Sequence, residues 1–391
     1  MPKVQPMSET THVETRDSSS SRQIVLAASQ GLAVRSAALV ARGLRDLARD
    51  SNWLIKKIFT GHSPQLAISP AGEVCSVSPQ VRHGSQTVAL HDIELSVPTM
   101  ALSVPGGPPT PRSDLASVSS AAFAWSANGR HLIASWAGWT SHLHLFDLQA
   151  KMLVGSFGKY QKAPHFLAWS SSNKYFSAAT SGGKDAALRV WESSPAEMPF
   201  SSAPSQEIGS PASMEPQAYG EGFDEEGAFR GYGRLAFSPD EQTVAAVAEI
   251  QGDWADDSIF LAHPSCLQNH TLFQAQGHIT DLSWSADSRH IVYCGSGQAY
   301  RLAGSTLEFD PLPFGAELCA CHPHLPLCLF FSSWLKNSAK GRLFLVDLKE
   351  LAVFDEYAAE GVVDMRWNLD GSKAFAVTEN GMAYIYDPPL L

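Results

Sequence analysis

The sequence predicts an all-β protein, a seven-bladed β-propeller of four-stranded antiparallel blades preceded by an amphipathic helix, and three observations predict it. The first is a recurring unit. His278 to Leu302 runs through a short apolar stretch ending in Trp284, a Ser-Ala-Asp-Ser turn and two more β-rich stretches. The same order returns from Ala121, His165, Arg234 and Val363, with weaker copies from Pro64 and Glu317. That makes seven copies at intervals of roughly 40 to 70 residues, the spacing of propeller or solenoid arrays. The second is period-2 alternation inside the copy, as in Asp281-Leu282-Ser283-Trp284 and His290-Ile291-Val292-Tyr293, which gives short strands with one buried face. The third is composition: 44% apolar residues suffice for a large core, charged residues are sparse at 17%, and 29 Gly and 24 Pro supply many turns.

The elements follow in chain order. Residues 1–21 are polar, carry a Ser run and no aromatic residue, and read as a disordered tail. The apolar run that follows begins too late, and lacks the basic front, for a secretory signal. Residues 22–52 favour a helix. Ala33, Ala37, Val40, Ala41, Leu44, Leu47 and Ala48 share one face of it, and Arg35, Arg42, Arg45 and Arg49 share the other. Three roles are open to this helix: packing on the propeller, binding a partner or a second copy, or lying in a membrane interface. Its uncharged run from Gln23 to Val34 is too short to span a bilayer. Residues 53–391 form the propeller.

Within it, third strands are expected at Leu143, Leu188, Ala299, Leu343 and Ala383, and fourth strands at Met152, Thr271 and Ala352. Two insertions interrupt the pattern. Residues 104–117, with Pro105, Pro108, Pro109 and Pro111, read as a polyproline II spacer. Residues 193–230 read as a flexible loop between blades, and its Glu221, Asp224, Glu225 and Glu226 have no EF-hand spacing.

The copies resemble the WD-repeat family of β-propellers. Ser181 to Ser193 resembles its Asp turn and Trp-Asp ending, through Asp185 and Trp191, with Glu192 in place of the final Asp. Gly61-His62 and Gly277-His278 resemble its Gly-His pair. Asp147, Asp347 and Asp387 match its Asp but follow Phe, Val and Tyr. No copy carries the family's full His, Ser, Asp and Trp set. The resemblance spans about Leu54 to Pro388 and implies ring closure of the family's kind, in which strand 53–60 completes the C-terminal blade. It implies little about the ligand, because one fold hosts many functions.

Function has to come from the residues. A net charge of −11 argues against a general nucleic-acid binder. Six cysteines in a chain of this length make no disulfide framework, which favours a reducing compartment and a cytoplasmic location. The densest group of metal-ligand types is Cys319, Cys321, His322 and His324. Both thiols fall on one face of a first strand and both imidazoles in the turn after it, so they read as structural, with zinc the weaker alternative. There is no nucleophile elbow, no His-Glu-x-x-His pair and no phosphate-cradling loop, so no enzyme activity and no cofactor are expected.

The tryptophans divide into two groups. Trp125, Trp169, Trp284 and Trp367 hold one position of the repeat and read as core, as does Trp191. Trp136, Trp139, Trp254 and Trp334 lie at connections between second and third strands, which a propeller presents on one face. Tryptophan dominates binding hot spots. The expected function is therefore a scaffold that binds a protein or peptide through these four residues; covering the ends of blades is the simpler role they could fill. The alternative is a propeller enzyme or small-ligand binder with its site at the central channel, which convergent carboxylates and histidines at the channel mouth would favour.

Overall fold

The computed structural model describes residues 53–57, 66–82, 85–104, 121–136, 141–160, 163–181, 186–192, 203–209, 229–250, 256–333 and 341–388. The expected tail (1–21) and helix (22–52) lie outside them.

The strands pair into seven four-stranded antiparallel sheets. Sheet 1 is Leu66–Ile68, Glu73–Arg82, Ser85–Asp92 and Val97–Val104. Sheet 2 is Ala121–Trp125, His131–Trp136, Ser141–Asp147 and Met152–Tyr160. Sheet 3 is Phe166–Trp169, Tyr175–Thr180, Ala187–Glu192 and Gln206–Ile208. Sheet 4 is Phe229–Phe237, Val244–Ile250, Ser258–His263 and Cys266–Gln274. Sheet 5 is Ile279–Trp284, His290–Gly295, Gln298–Ala303 and Phe309–Pro311. Sheet 6 is Leu318–Cys321, Leu327–Ser332, Gly341–Asp347 and Ala352–Ala359. Sheet 7 is Val362–Trp367, Ala374–Thr378 and Met382–Tyr386, completed by Trp53–Lys57 from the other end of the chain. Each first strand touches the first strand of the next sheet, and that of sheet 7 touches that of sheet 1. The fold is a β-propeller.

The residues explain the sheets. In six of the seven copies the first strand ends in a turn closed by a Ser or Asn side chain, and in sheet 6 His322 takes that place. Ser126 Oγ accepts His131 N–H at 2.8 Å, and Ser170, Ser238 and Ser285 do the same for Tyr175, Thr243 and His290 at 3.0 Å. Asn128, Asp240 and Asp287 accept both that Ser hydroxyl and the N–H two residues onward. Short polar side chains of this kind replace backbone partners in tight turns.

Period-2 strands then send alternate side chains to the two neighbouring sheets. The core is accordingly divided into seven apolar layers, one between each adjacent pair. Phe123, Trp125, Leu132 and Phe146 pack towards sheet 1, whereas Ala124, Ile133, Leu143 and Leu145 pack towards sheet 3. A single sheet cannot cover both faces, and its neighbours do so.

The first-strand tryptophans do more than fill these layers. The indole N–H of Trp169 donates to Ala124 O at 3.2 Å, that of Trp284 to Ala236 O at 3.2 Å, and that of Trp367 to Ala320 O at 3.0 Å. Each bond reaches the first strand of the preceding sheet.

Closure by the N-terminal strand is explicit in the register, Trp53 opposite Tyr386 through Lys57 opposite Met382. Trp53 is buried and packs at a tilt against Tyr386 at 4.8 Å and Tyr357 at 5.7 Å. Of the expected 53–60, residues 58–60 lie outside the described part.

The insertion boundaries need correction. Gln206–Ile208, inside the expected loop 193–230, is the fourth strand of sheet 3, with Ile208 buried opposite Leu188. Phe229 and Arg230 already belong to the first strand of sheet 4. Sheet 1 likewise has its fourth strand at Val97–Val104, beyond the Leu95 that closes the sequence repeat. Gln206–Ile208 has only three residues, too few for alternation to reveal it.

Candidate binding face and central cavity

The seven first strands surround a central cavity of about 2050 Å³. Its two mouths differ because the connections around them differ.

At one mouth lie the turns between first and second strands, and these are tied to one another. Ala127 N–H donates to Asn173 Oδ1 at 2.6 Å (sheets 2 and 3), and Asp240 N–H to Ser288 Oγ at 3.0 Å (sheets 4 and 5). Glu241 accepts from the hydroxyls of Ser171 at 2.9 Å and Ser172 at 2.6 Å (sheets 3 and 4). Between sheets 6 and 7, His322 Nε2 donates to Gly371 O at 3.0 Å and His324 Nε2 to Leu369 O at 3.1 Å.

The other mouth is where first strands begin and where second strands hand over to third strands. It carries Arg230, Glu249, His278 and Glu317. Here a buried carboxylate organises the chain. Asp257, whose side chain is 1% exposed, accepts Ile250 N–H at 3.1 Å and Ile279 N–H at 2.8 Å, and lies 2.7 Å from Nδ1 of His278. The Asp257 contact raises the His278 pKa against the opposing effect of its partial burial. The imidazole is otherwise 66% exposed. Gly277 before it has φ +79°, and a Cβ there would collide with Ser296, so the Gly of this Gly-His pair is a steric requirement. Burial first, and the Asp257 charge next, push the Glu249 carboxyl up.

Within the cavity two carboxylates join neighbouring first strands. Asp281 Oδ2 accepts Cys319 N–H at 3.0 Å, and Asp364 Oδ2 accepts Ile68 N–H at 3.1 Å. Both follow a bulge in the first strand, at Ile279/Asp281 and Val362/Asp364. Arg366 donates back to Ile68 O at 3.1 Å, while Arg234 donates to Thr280 O at 3.1 Å and comes within 3.8 Å of Asp281. Burial pushes the Asp364 carboxyl up to about 6, against the opposing pull of Arg234 and Arg366. Sequence reasoning passed over these four residues. The signal was present, since Asp281 and Asp364 each stand three residues before the Trp of their copy.

The residues singled out by sequence fare differently. Trp136 ends the second strand of sheet 2 opposite Ala121, placing its backbone at the mouth where first strands begin. Trp139, Trp254 and Trp334 lie outside the described residues, as do His62 and Asp185. Trp191 is buried between sheets 2 and 3, 5.4 Å from Phe176 and 5.7 Å from Phe157, and its indole N–H has no hydrogen-bond partner among the described residues. The four zinc-ligand candidates do not converge. Cys319 and Cys321 turn towards sheet 5, Cys319 Sγ donating to Val292 O at 3.4 Å. His322 has both nitrogens on backbone, Nδ1 accepting from His324 and Leu325 N–H at 2.9 Å. Among the described residues no three His, Cys, Asp or Glu side chains stand close enough to hold a metal ion.

No family model matches the chain. No curated protein matches it either. Solved structures do. A chain of Kuenenia stuttgartiensis hydrazine synthase aligns with a TM-score of 0.58 at 15% identity, over 85% of this chain and 97% of that one. A chain of a mitotic checkpoint complex aligns with a TM-score of 0.58 at 9% identity, over 86% and 93%. The fold is shared. At these identities the likeness says nothing of activity, and one neighbour belongs to an enzyme while the other belongs to an assembly.

Proposed function

We propose that this chain is a non-enzymatic, cytoplasmic binding platform. A seven-bladed, WD-repeat-like ring holds a protein or peptide partner on the face where second strands hand over to third strands. The observation that carries the reading is the inequality of the two mouths. One is laced at four sheet junctions by side-chain hydrogen bonds between neighbouring turns. The other presents His278, oriented by Asp257 and largely exposed, beside Arg230, Glu249 and Glu317, with Trp136 at its edge. Exposed polar groups around aromatic anchors are what a hot-spot interface needs.

The alternative places a small-ligand or catalytic site in the cavity, and the charged residues there favour it. Against it, Asp281 and Asp364 spend their carboxylates on backbone N–H groups of the next sheet, and Arg234 and Arg366 donate guanidinium N–H groups to carbonyls there. That is the work of joining sheets.

The test is affinity capture followed by mass spectrometry, comparing the wild type with Trp136→Ala/Trp254→Ala/Trp334→Ala. Circular dichroism must first show that the variant is folded. A partner retained by the wild type and lost by the variant supports the reading. A partner held equally by both overturns it.

A further inference from the structure

We propose that Cys321 and Cys328 form a reversible cross-strand disulfide, with Cys321 the thiol that a small-molecule disulfide such as oxidised glutathione reaches through the central cavity. The two residues are direct partners on the first and second strands of sheet 6, and their sulfurs lie 3.6 Å apart. Their position in the ladder suits a bridge. His322 N–H donates to Leu327 O, which makes His322 and Leu327 a hydrogen-bonded pair, so the next pair along is a non-hydrogen-bonded one. In such pairs the Cα atoms approach to about 4.5 Å, inside the span of about 4.4–6.8 Å that a disulfide bridges.

Access separates these cysteines from the others nearby. Cys321 is partly exposed and lines the cavity. Cys328 is fully buried behind it, and burial holds its thiol well above the ordinary range. Cys294 and Cys319 are also buried, with the Cys319 thiol directed at Val292 O. Cys266 lies on the outer strand of sheet 4. Cys321 is therefore the attacking thiol and Cys328 the resolving one, since the thiolate is the nucleophile and a buried thiol ionises poorly.

The chemistry balances in two exchanges. The Cys321 thiol gives its proton to solvent, and the thiolate attacks one sulfur of glutathione disulfide. That sulfur–sulfur bond breaks, and one glutathione leaves as a thiolate that takes up a proton. Cys328 then loses its proton and attacks the Cys321 sulfur, expelling the second glutathione, which is protonated in turn. Two protein thiols are oxidised by two electrons, and one glutathione disulfide is reduced to two thiols.

The experiment equilibrates the full chain with graded ratios of oxidised to reduced glutathione, blocks free thiols and maps peptides by mass spectrometry. Trypsin leaves Cys319, Cys321 and Cys328 on one peptide, because no Lys or Arg lies between Arg301 and Lys336. The expected product is that peptide lacking two hydrogens. Its backbone fragments between residues 319 and 321 but not between 321 and 328, and reduced glutathione reverses the change. Cys328→Ala should trap one glutathione on Cys321, and Cys321→Ser should take none at Cys328. A wild-type map with no 321–328 link at any ratio, with glutathione resting on Cys321 unresolved, or with Cys294 joined to Cys319 overturns the proposal. The wild-type map decides the matter even if a variant fails to fold.

Discussion

Burial works against the charge of Asp364. Its carboxyl sits in the cavity wall with a pKa raised to about 6 from 3.8, so the folded chain holds this proton more tightly than the unfolded chain does. Between about pH 4 and pH 6 the native state therefore binds more protons, and stability falls as pH rises through that window. Urea unfolding across it should show the wild type losing stability with rising pH relative to Asp364→Asn, which keeps an oxygen to accept Ile68 N–H. His278 titrates in the same sense for a different reason. Asp257 raises its pKa above the ordinary 6.5, so its contribution is complete below that value and is lost as pH rises through the raised one. Because the ring is mostly exposed, the loss should be small, below about 1 kcal/mol, and absent in His278→Gln. A pH dependence above 6.5 that is the same in the wild type and in His278→Gln would contradict the Asp257 pairing.

At the scale of elements, the strand from Trp53 to Lys57 offers the sharpest contrast. Trp53 is 5% exposed and wedged against Tyr386 and Tyr357, whereas Leu54 beside it is 52% exposed. Trp53→Ala should lower stability by about 3–5 kcal/mol and promote association through the loosened sheet edge. Leu54→Ala should stay within about 0.5 kcal/mol. Chemical denaturation and light scattering together check both outcomes. The strand was legible because a β-rich run preceded the first copy while the last copy lacked a fourth strand. The Trp and Ser positions of the repeat were legible too, since core burial and turn closure demand the same residue at the same offset. Gln206–Ile208 was not. It has three residues, one of them buried, and a Ser/Pro-rich setting that hides any period.

At the scale of the whole molecule, the ring was readable but its working surface was only partly so. A repeat advertises what every copy shares, and the core is what the copies share. The residues that distinguish one mouth from the other belong to single copies: Asp257 with His278, Arg234 with Asp281, Cys321 with Cys328. The first two pairings join neighbouring sheets that only stacking brings together, and the third joins adjacent strands of sheet 6. Among the described residues no helix is long and apolar enough to cross a membrane.

The measurement that bears most directly on the binding face is hydrogen exchange of the chain with and without its captured partner. A partner seated on this face slows exchange at the connections around Trp136, residues 251–257 and residues 333–340, and around His278, and leaves the turns at Ala127, Ser171 and Leu369 unchanged. Protection confined to those turns, or to the first strands lining the cavity, would contradict it.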